Sequence, residues 1–600
     1  MKTIVIIKQN GKEKKVEAKI GVNLFELISE NGFELSGYCG RQGICGKCGV
    51  KINPAPAVKD KERDFFSEKK LKEGWRLACI HSLEEKCEIY VEDSGDINVL
   101  TGAMEIKGEL NSGWQSDEIK IKEPSLADQR SYLSRYLKKS DCEIIDDKLL
   151  NDIKGLQNKS GKLHTVSCVD KLVEIRNTKP SEKILGAAVD IGTTTLVLYL
   201  YNLENGERLA VESMYNPQKE YGADVISRIQ YGNKNKENRD KLQEVLIEGL
   251  NKGLNKLTAG TGQKTTDIYR ITLAGNTTMM HTVLGFDGIE IAKAPFIPTF
   301  TESLTVKPDE IELDINKRGE VVLLPSISSY VGADILADLL ATGAGQTPEC
   351  SLLVDIGTNG EIVLGSDQKL YACSVAAGPS FEGSNISSGM AALSGAVEKF
   401  NIEKDGFDYQ TIGDGDPRGI CGSGLLDLAA GLLDIGVITP SGSFAEKEKM
   451  PPFWQDRFYP EREIKELSII KDEDEGKNIT LTQKDIRQLQ LAKGAIRAGI
   501  EVLLKKTEYR SDDVTRVYLV GGFANYLDPE NAVKIGMISE KMEDKIVQAG
   551  NGSGAGASLY LLDRELKEAS EQLKSRINYI ELSSDSEFQQ EFTAQMGFPR

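Results

Sequence analysis

The chain has 600 residues, of which 40% are hydrophobic and 28% charged, and this ordinary globular composition and length predict three or four domains. Its formal net charge of −18 argues against nucleic acid as a partner, because a large basic face is difficult to combine with such an acidic excess. No apolar run approaches the ~20 residues of a membrane span, and the first residues lack a secretory h-region, so we expect a cytoplasmic protein without membrane spans.

Residues 1–94 are predicted to form one small domain. Alternating apolar residues indicate two strands, Thr3–Ile7 and Lys15–Ile20, which the turn Asn10-Gly11 joins. A short helix is predicted at Asn23–Glu30.

Four of the ten cysteines are clustered, and the other six share no spacing. Cys39, Cys45 and Cys48 lie on one glycine-rich loop in the pattern C-x5-C-x2-C, and Cys79 is remote from them. In a reducing cytosol, clustered thiolates indicate a metal or iron–sulfur site. Zinc ribbons usually pair their cysteines as two CxxC knuckles, whereas a glycine-rich loop can point N–H groups at inorganic sulfides. The pattern therefore favours an iron–sulfur cluster and leaves zinc as the alternative.

The cysteine pattern resembles that of plant-type and adrenodoxin-like 2Fe–2S ferredoxins. The five residues between Cys39 and Cys45 match the adrenodoxin-like spacing rather than the four residues of the plant type. The resemblance covers the whole N-terminal domain. It implies a β-grasp ferredoxin-like fold in which Cys39, Cys45, Cys48 and Cys79 ligate a 2Fe–2S cluster.

Several neighbouring residues are expected to have no chemical role. Cys87 lies on an apparent final strand and is expected to be structural, and His81 is expected to be a surface residue because four cysteines already fill the site. The charged runs Lys59–Arg63 and Lys471–Lys477 are expected to be solvated loops.

The stretch between residues 95 and 182 carries little chemical signal. We predict a break at Asp93–Asp96, a linker over 95–120 and a small α+β middle domain over 121–182. Its predicted elements are helices at Ser125–Lys139 and Asp147–Asn158 and a strand at Leu172–Arg176. A packing, docking or dimer-forming role is expected for this domain.

Two near-copies of one pentapeptide, VDIGT, stand out in the remaining chain, at Val189–Thr193 and Val354–Thr358. In each copy an apolar run ends in Asp, turns at Gly beside a threonine hydroxyl and continues as an apolar run. The glycine N–H and the threonine hydroxyl can bind an anion such as phosphate. The aspartate cannot, because like charges repel, so it is better suited to bind Mg²⁺ or a water molecule of the ion. Two such turns predict a duplicated domain that binds one nucleotide between its halves.

Other motifs of the first half follow the Val189–Thr193 turn. The segment YGADVISRIQYG predicts a helix entered through Gly222–Asp224, and the helix Asn238–Leu257 leads to the strand Ile268–Leu273. That strand ends in AGNTTMMH, a turn that opens a helix at Asn276. A helix N-terminus offers partial positive charge and N–H groups to a phosphate, so Asn276 is a candidate nucleotide-binding residue. Tight packing of this helix on the sheet is the alternative.

The second half adds three turns. Gly378–Gly383 is predicted to be a sharp loop that carries Glu382, a candidate for orienting the attacking water or for binding Mg²⁺. Gly422 lies in a glycine-rich entry to an apolar helix and permits close approach of a nucleotide. Gly521 and Gly522 follow an apolar strand and leave room for a purine ring against the backbone.

Taken in order, the Asp190, Asp355 and Gly521-Gly522 turns resemble the phosphate-1, phosphate-2 and adenosine motifs of the ASKHA superfamily, which includes actin, sugar kinases, acetate kinase and heat-shock chaperones. The resemblance implies an α/β multidomain protein whose C-terminal part, 183–600, is an ASKHA domain with ATP and Mg²⁺ in a cleft. Its two ribonuclease-H-like halves would span about 183–348 and 349–600. The superfamily leaves the substrate open.

The resemblance also implies a role for each motif residue. Asp190 and Asp355 would position Mg²⁺ and water, and Glu382 is a further catalytic candidate. The residues expected to hold the nucleotide are Gly192, Thr193, Thr194, Asn276, Gly357, Thr358, Gly422, Gly521 and Gly522.

A 2Fe–2S ferredoxin domain followed by an ASKHA domain resembles the reductive activators of corrinoid-dependent methyltransferases and of the corrinoid iron–sulfur protein. The resemblance covers essentially all 600 residues, including YGADVISRI, AGNTTMMH, AAGPSFEG and the tail YIELSSDSEFQQEFTAQMGFP. Archaeal-type activators carry a C-terminal pair of 4Fe–4S motifs, which this sequence lacks because no cysteine follows Cys421.

This resemblance implies ATP-dependent return of an inactive Co(II) corrinoid protein to Co(I), with an electron passing through the 2Fe–2S cluster and water accepting the phosphoryl group. The partner would be a methyl carrier or a corrinoid iron–sulfur protein, and an external low-potential donor would supply the electron. Coupling to ATP is expected because a mismatch of ~59 mV changes a one-electron equilibrium tenfold. Related activators favour a homodimer, which the sequence leaves open.

Three other functions compete with this one. An ATP-coupled electron donor to a dehydratase or reductase is the main alternative, although such activators bridge a 4Fe–4S cluster between subunits with few cysteines per chain. A sugar or acetate kinase with a fused redox sensor would leave the ferredoxin domain without a task. A non-enzymatic scaffold would bind ATP without turning it over.

Overall fold

The computed structural model describes residues 2–9, 12–33, 48–66, 68–91, 110–156, 158–177, 183–471, 478–522 and 524–599. Two predicted cluster ligands, Cys39 and Cys45, lie outside the described residues, as do the turn Asn10-Gly11 and most of the charged run after Lys471. The described chain forms an N-terminal five-stranded sheet, a small four-stranded sheet and a large C-terminal part built on two six-stranded sheets.

The N-terminal domain has the mixed sheet and packed helix predicted for a β-grasp fold. Its elements are β1 (Lys2–Gln9), β2 (Lys12–Lys19), α1 (Leu24–Glu30), β3 (Gly49–Asn53), α2 (Glu68–Lys72), β4 (Trp75–Leu77) and β5 (Cys87–Val91). The strand order is β2-β1-β5-β3-β4, with β1 and β5 parallel. The Asn23 side chain caps α1 and accepts a hydrogen bond from the Phe25 N–H at 2.9 Å. Cys87 is buried on the last strand, as predicted.

Two predictions for this domain are wrong. His81 is buried rather than exposed, and its Nε2 lies 3.0 Å from Oε1 of Glu62. Glu62 itself belongs to the charged run Lys59–Arg63, which was expected to be a solvated loop, and it is fully buried. Its carboxylate also accepts hydrogen bonds from the backbone N–H groups of Lys59 and Leu77, at 2.8 Å each. These contacts replace the water that a buried carboxylate loses.

The small middle domain contains three more strands than the one that the sequence indicated. Its elements are β6 (Trp114–Ile121), α3 (Tyr132–Ser140), β7 (Ile144–Ile145), α4 (Leu149–Leu156), β8 (Gly161–Cys168) and β9 (Lys171–Arg176). Residues 114–120, predicted as part of a linker, pair antiparallel with β8. The first helix begins at Tyr132, after the N-cap Ser131, and not at Ser125. Strand β6 was missed because its outward positions are polar.

The middle domain packs on the first half of the large part. The Trp114 and Tyr269 ring centroids are 5.4 Å apart, and Trp114 and Val173 belong to the same buried cluster as the first six-stranded sheet. Arg318 donates a hydrogen bond of 2.9 Å from Nη1 to the Val173 carbonyl. These contacts agree with the packing role expected for the middle domain.

The first half of the large part is built on the sheet β12-β11-β10-β13-β15-β14. Its elements are β10 (Leu185–Ile191), β11 (Thr195–Asn202), β12 (Arg208–Tyr215), α5 (Val225–Gly232), α6 (Lys236–Thr261), β13 (Ile268–Gly275), α7 (Thr277–Val283), α8 (Ile289–Ala292), β14 (Leu304–Val306), β15 (Glu320–Leu323) and α9 (Ala333–Thr342). The predicted helix entry at Asp224 and the predicted helix opening at Asn276 are confirmed, because both residues are N-caps.

The second half is built on the sheet β26-β25-β16-β17-β18-β27. Its elements are β16 (Cys350–Ile356), β17 (Gly360–Gly365), β18 (Leu370–Val375), β19 (Ala396–Ile402), β20 (Phe407–Thr411), β21 (Gly419–Ile420), α10 (Gly422–Asp434), α11 (Pro452–Gln455), β22 (Phe458–Tyr459), β23 (Glu466–Lys471), β24 (Asn478–Thr482), α12 (Gln483–Lys506), β25 (Val514–Val520), α13 (Pro529–Lys534), β26 (Ile546–Gly550), α14 (Gly552–Leu562), α15 (Leu566–Ser575), β27 (Ile577–Tyr579) and α16 (Ser586–Gln595).

The two sheets repeat one arrangement. In the first, β10 pairs antiparallel with β11 and parallel with β13, and in the second, β16 pairs antiparallel with β17 and parallel with β25. Each VDIGT turn joins the two strands of the corresponding antiparallel hairpin. The duplicated α/β architecture predicted for the C-terminal part is therefore confirmed.

The chain does not divide as simply at residue 349 as predicted. Helix α14 belongs to the second half in sequence, yet it packs against α9, β10 and β13 of the first half. A Cβ at Gly556 would lie 2.0 Å from the Ala337 carbonyl oxygen, so the close approach of α14 to α9 requires glycine. Helix α14 of the C-terminal region therefore packs as part of the first half.

Candidate functional site

A cleft with a volume of about 270 Å³ lies between the two halves. Every residue that the sequence predicts for the nucleotide site lines it: Asp190, Gly192, Thr193, Thr194, Asn276, Asp355, Gly357, Thr358, Glu382, Gly422, Gly521 and Gly522. The structure thereby brings together residues from both halves, while their roles in binding stay a prediction.

Glu382 connects the two phosphate-type turns. Thr194 Oγ1 donates a hydrogen bond to Oε2 of Glu382 at 2.8 Å, and Thr358 Oγ1 donates one to Oε1 at 2.7 Å. A sharp turn positions this carboxylate, because Gly383 has φ +75° and a Cβ there would lie 2.1 Å from the Met390 carbonyl oxygen. One carboxylate therefore occupies two of the three threonine hydroxyls that are predicted to bind phosphate.

Two other predicted residues are tied to the turns. Asn276 donates a hydrogen bond of 3.1 Å from Nδ2 to Oγ1 of Thr193. Gly521 has φ +98°, and a Cβ at this position would lie 2.3 Å from Oδ1 of Asp355. The predicted adenosine turn thus reaches the second phosphate-type turn only because its first residue has no side chain.

Five acidic side chains share one part of the cleft lining: Asp190, Asp334, Asp338, Asp355 and Glu361. Burial raises the pKa of Asp190 to about 6, although hydrogen bonds from Ser553 and Asn551 lower it in part. Burial, with the neighbouring charges, raises the pKa of Asp334 to about 7 and that of Asp355 to about 8. The same causes raise the pKa values of Asp338 and Glu361 well above their usual range.

Asp334, Asp338 and Glu361 were missed by the sequence analysis. Asp334 and Asp338 are four residues apart on the apolar helix α9, a spacing that places both carboxyl groups on one helix face. This pair of acids in ADILADLL was the available signal. Glu361 follows the second VDIGT turn on β17, directly opposite Asp355 in the hairpin.

The surroundings of Asp338 disfavour an unpaired negative charge. Its side chain is 1% exposed, and neither carboxylate oxygen has a hydrogen-bond partner within the described residues. A Cβ at Gly552 would lie 2.3 Å from its Oδ1, so the carboxylate abuts the N-terminus of α14. Leaving a buried carboxylate without partners is costly unless it binds a proton or a cation.

The charge of the cleft indicates which ligands it can take. Among the described residues that line it, none is lysine, arginine or histidine, and seven are acidic: Asp190, Asp334, Asp338, Asp355, Glu361, Glu382 and Glu398. A polyphosphate can bind there only with cations that offset this charge. Carboxylate oxygens are ligands of the type that Mg²⁺ prefers, although among the described residues no three acidic, cysteine or histidine side chains are already arranged around one metal position.

The cleft lining also contains apolar side chains. They include Ala391, Ala392, Leu393, Ile412 and Tyr526. With Gly521 and Gly522 beside them, these side chains offer a surface suited to a flat, weakly polar ring.

The two described cluster ligands lie close to one another. Cys48 and Cys79 are 1% and 5% exposed. The Ala78 N–H donates a hydrogen bond of 2.9 Å to the Cys48 carbonyl, and Asn23 donates one of 2.8 Å from Nδ2 to the Cys79 carbonyl. The pairing of β3 with β4 therefore brings two of the four predicted thiols to one end of the sheet, which fits a shared cluster.

Within the part of the chain that the structure describes, no helix combines the length and apolar character needed to cross a membrane.

Comparison with protein families gives three matches. The family described as the 2Fe-2S iron-sulfur cluster binding domain matches residues 7–84. The family described as the RACo middle region matches residues 185–347, and the one described as the C-terminal domain of RACo, the ASKHA domain, matches residues 349–600.

Individual proteins extend this comparison to the whole chain. The corrinoid activation enzyme RamQ of Eubacterium limosum is 31% identical over an alignment of 593 residues, which covers 96% of each chain. The [Co(II) methylated amine-specific corrinoid protein] reductase of Methanosarcina barkeri is 26% identical over 420 residues, covering 63% of this chain and 70% of its own. A solved structure of a reductive activator for corrinoid, iron-sulfur protein superposes with a TM-score of 0.76 at 30% identity, covering 100% of this chain and 98% of that one.

Proposed function

Since the chain belongs to the family of reductive activators of corrinoid proteins, we propose that it returns a corrinoid protein from the inactive Co(II) state to Co(I) in a reaction driven by ATP hydrolysis. The observation that carries this proposal is the cleft between the halves, where both VDIGT turns and the acidic cluster meet. The reaction adds one electron to cobalt, and ATP and water give ADP and phosphate.

The ferredoxin domain would supply the electron. A 2Fe–2S cluster, when bound, accepts and releases one electron at a time, and Cys39, Cys45, Cys48 and Cys79 would hold it. The buried, adjacent positions of Cys48 and Cys79 support this assignment. An external low-potential donor would reload the domain.

Gly192, Thr193, Thr194, Gly357 and Thr358 would hold the phosphates of ATP. The apolar surface beside Gly521 and Gly522 would receive the adenosine, with Gly422 and Asn276 at the edges of the nucleotide site. Every one of these residues lines the one cleft, which supports a single nucleotide bound by both halves.

Mg²⁺ would be held by the acidic cluster, through Asp190 and Asp355 with Asp334 and Asp338 beside them. When bound, the ion offsets the charge of the phosphates and polarises them for attack by water. The partnerless carboxylate of Asp338 and the raised pKa values of its neighbours support a cation there, because a cation would keep these groups ionised.

Glu382 would link nucleotide occupancy to the contact between the halves. Its carboxylate bridges Thr194 and Thr358, so a phosphate group that takes over these hydroxyls must displace it. Once displaced, Glu382 would accept a proton from the attacking water. The nucleotide state would then determine how closely the two halves contact one another.

Coupling to ATP has a thermodynamic purpose. A one-electron mismatch of ~59 mV lowers the equilibrium constant tenfold, so a donor slightly less reducing than the Co(II)/Co(I) couple leaves little Co(I). A protein that binds the Co(I) form more tightly in one nucleotide state shifts that equilibrium by its difference in affinity. A homodimer and a cytoplasmic location are further proposals that follow from the resemblance to related activators.

The test uses the full chain, purified anaerobically, with a Co(II) corrinoid protein and a low-potential reductant. We expect the Co(I) absorption band to appear only after Mg-ATP is added, and to be absent with Asp190→Ala or Cys45→Ala. A matched control is Asp512→Asn, since the Asp512 side chain is 80% exposed and distant from the cleft lining. If none of the corrinoid proteins tested is reduced to Co(I) while ATP is still hydrolysed, this proposal fails. The main alternative, an ATP-coupled electron donor to another low-potential enzyme, then replaces it.

A further inference from the structure

A buried polar cluster lies behind the first phosphate-type turn, and the proposed function makes no use of it. The cluster consists of Asn216, Gln218 and Arg228, which are 0%, 0% and 1% exposed. Asn216 and Gln218 lie between β12 and α5, and Arg228 lies on α5, within the segment YGADVISRI. Burying polar side chains so completely is favourable only if their hydrogen bonds are met inside the protein.

The cluster binds the carbonyl groups of the turn. Asn216 donates a hydrogen bond of 2.9 Å from Nδ2 to the Gly192 carbonyl, and its backbone N–H donates one of 2.9 Å to the Thr194 carbonyl. Between these two, the Thr193 carbonyl accepts a hydrogen bond from Nη2 of Arg228. Three consecutive carbonyl groups are therefore held from one side.

This arrangement determines where the N–H groups of the turn point. In a planar trans peptide, the N–H and C=O bonds have opposite directions. Fixing three carbonyls toward the buried cluster therefore directs the N–H groups of the following residues away from it. The turn lines the cleft, so those N–H groups are presented as an anion-binding surface.

The guanidinium of Arg228 also brings a positive charge that no carboxylate of the described residues binds directly. Its acceptors are the uncharged oxygens of Thr193, of Gly222 at 3.0 Å from Nε and of Gln218 at 3.3 Å from Nη1. Burial lowers its pKa to about 10, while Asp224 and Glu382 act to raise it, so the group stays charged at neutral pH. The charge lies one peptide group behind a cleft whose described lining contains acidic but no basic side chains.

The close packing around Arg228 accounts for the glycine that precedes the helix. A Cβ at Gly222 would lie 2.7 Å from the Arg228 backbone nitrogen and 2.9 Å from its Cγ. The sequence Gly-Ala-Asp thus combines a glycine that admits the arginine with Asp224, which caps α5. Lysine would keep the charge but not all of these hydrogen bonds, because only the planar guanidinium reaches several acceptors at once.

We propose that Arg228 and Asn216 are positioning residues for the nucleotide, which hold the first phosphate-type turn in its anion-binding conformation, and that Arg228 supplies the positive charge that the cleft lining lacks. The inference rests on the proposed ATP site and deepens it, since it names the residues that make the site selective for the terminal phosphates.

The test compares the affinities of the full chain for Mg-ATP and for AMP, which lacks the two terminal phosphates. Arg228→Met should weaken Mg-ATP binding about 10- to 100-fold, the range expected when hydrogen bonds and charge near a charged ligand are lost. AMP affinity should change by less than about twofold. Arg228→Lys should lie between the wild type and Arg228→Met, because it keeps the charge and loses the fork.

Arg270→Met is the matched control. Arg270 is also a buried arginine of the first half, on β13, but it pairs with Glu320 at 3.2 Å and does not line the cleft. This variant should keep the ratio of ATP to AMP affinity. If Arg228→Met does not fold, Asn216→Ala and Arg228→Lys provide the same comparison.

The inference is overturned if ATP and AMP affinities fall by the same factor in the Arg228 and Asn216 variants, since that is the result expected of a residue with a purely structural role. Failure of the proposed function would look different, because the wild-type protein would then not bind Mg-ATP at all. Thermal unfolding of each variant, measured beside binding, separates lost stability from lost positioning.

Discussion

The two VDIGT turns have the same sequence and different surroundings. In the first hairpin Asp190 lies opposite Val197, whereas in the second Asp355 lies opposite Glu361. Residues that face each other across an antiparallel pair interact directly, so only the second aspartate has an acidic cross-strand neighbour. Ser553 Oγ donates a hydrogen bond of 2.9 Å to Asp190, which stabilises its ionised form.

This difference separates the two carboxyl groups chemically. Burial raises the pKa of Asp190 to about 6 and that of Asp355 to about 8, where Asp334, Asp190 and Glu382 add repulsion. Without a cation, Asp190 is mostly ionised at pH 7 and Asp355 is mostly protonated. Copies of one motif are therefore not interchangeable, because the residues around each copy set its charge.

The largest effects should come from removing each aspartate in turn. Asp190→Asn and Asp355→Asn should each lower ATP turnover by about 100-fold or more, since each removes a preorganised group next to the reacting phosphate. Steady-state ATPase assays would measure this, with Asp512→Asn as the exposed control. Turnover within about tenfold of the wild type in either variant would contradict the role proposed for that turn.

Breaking the link between the copies should have the next largest effect. Glu382→Ala removes the carboxylate that accepts hydrogen bonds from Thr194 and Thr358 and thereby frees both hydroxyls for phosphate. We expect turnover to fall about 10- to 100-fold, because the proton acceptor is lost. Affinity for ATP should be unchanged or tighter. Single-turnover kinetics with equilibrium binding would test this, and a parallel loss of affinity would show that Glu382 binds nucleotide rather than competing with it.

The motif positions could be predicted from sequence because each depends on a local pattern. An apolar run that ends at Asp190 and turns at Gly192 can be recognised in the sequence alone. The spacing of Cys39, Cys45 and Cys48 is an equally local pattern, and their role as cluster ligands stays a prediction. The helix entries at Asp224 and Asn276 were equally readable, since a capping residue acts on the next turn of its own helix.

What escaped prediction depends on contacts between distant parts of the chain. Asp334 and Asp338 lie on α9, far in sequence from the first turn, and their place in the cleft depends on the packing of α9 against β13 and α14. His81 and Glu62 each form a buried pair with a residue that no local pattern selects. Trp114 begins a strand with mostly polar outward residues, which gives little signal of its own.

The pH dependence of cation binding should sharpen the contrast between the aspartates. In the proposed site Mg²⁺ would bind the ionised carboxyl groups, so it would have to displace the proton that Asp355 holds below pH 8. Apparent Mg²⁺ affinity in the presence of ATP should therefore rise between pH 6 and pH 8, by up to about tenfold per pH unit for one released proton. Asp355→Asn should flatten the part of the rise above pH 7 and leave the part near pH 6, which belongs to Asp190.

The same groups predict how stability without Mg²⁺ changes with pH. The pKa of Asp355 is about 8 in the folded chain, above the ordinary aspartate value, so the folded state binds more protons than the unfolded state between about pH 4 and pH 8. The free energy of unfolding should therefore fall as pH rises through this window. Thermal unfolding at pH 6 and pH 8 would measure it, and Mg²⁺ should restore the loss at pH 8. An unfolding temperature that rises with pH would contradict a protonated Asp355.

The smallest effect should come from Ser553, which distinguishes the first aspartate from the second. Ser553→Ala removes a hydrogen bond to the ionised form of Asp190, so the pKa of Asp190 should rise toward that of Asp355. Mg²⁺ affinity should then fall about three- to tenfold at pH 6.5 and much less at pH 8.5, where Asp190 is ionised in either protein. Ser558→Ala is the matched control, because Ser558 lies on the same helix and donates its hydrogen bond to the Gly554 carbonyl. An equal loss at both pH values would mean that Ser553 acts on the ion or the nucleotide directly, and that the two aspartates differ only through their acidic neighbours.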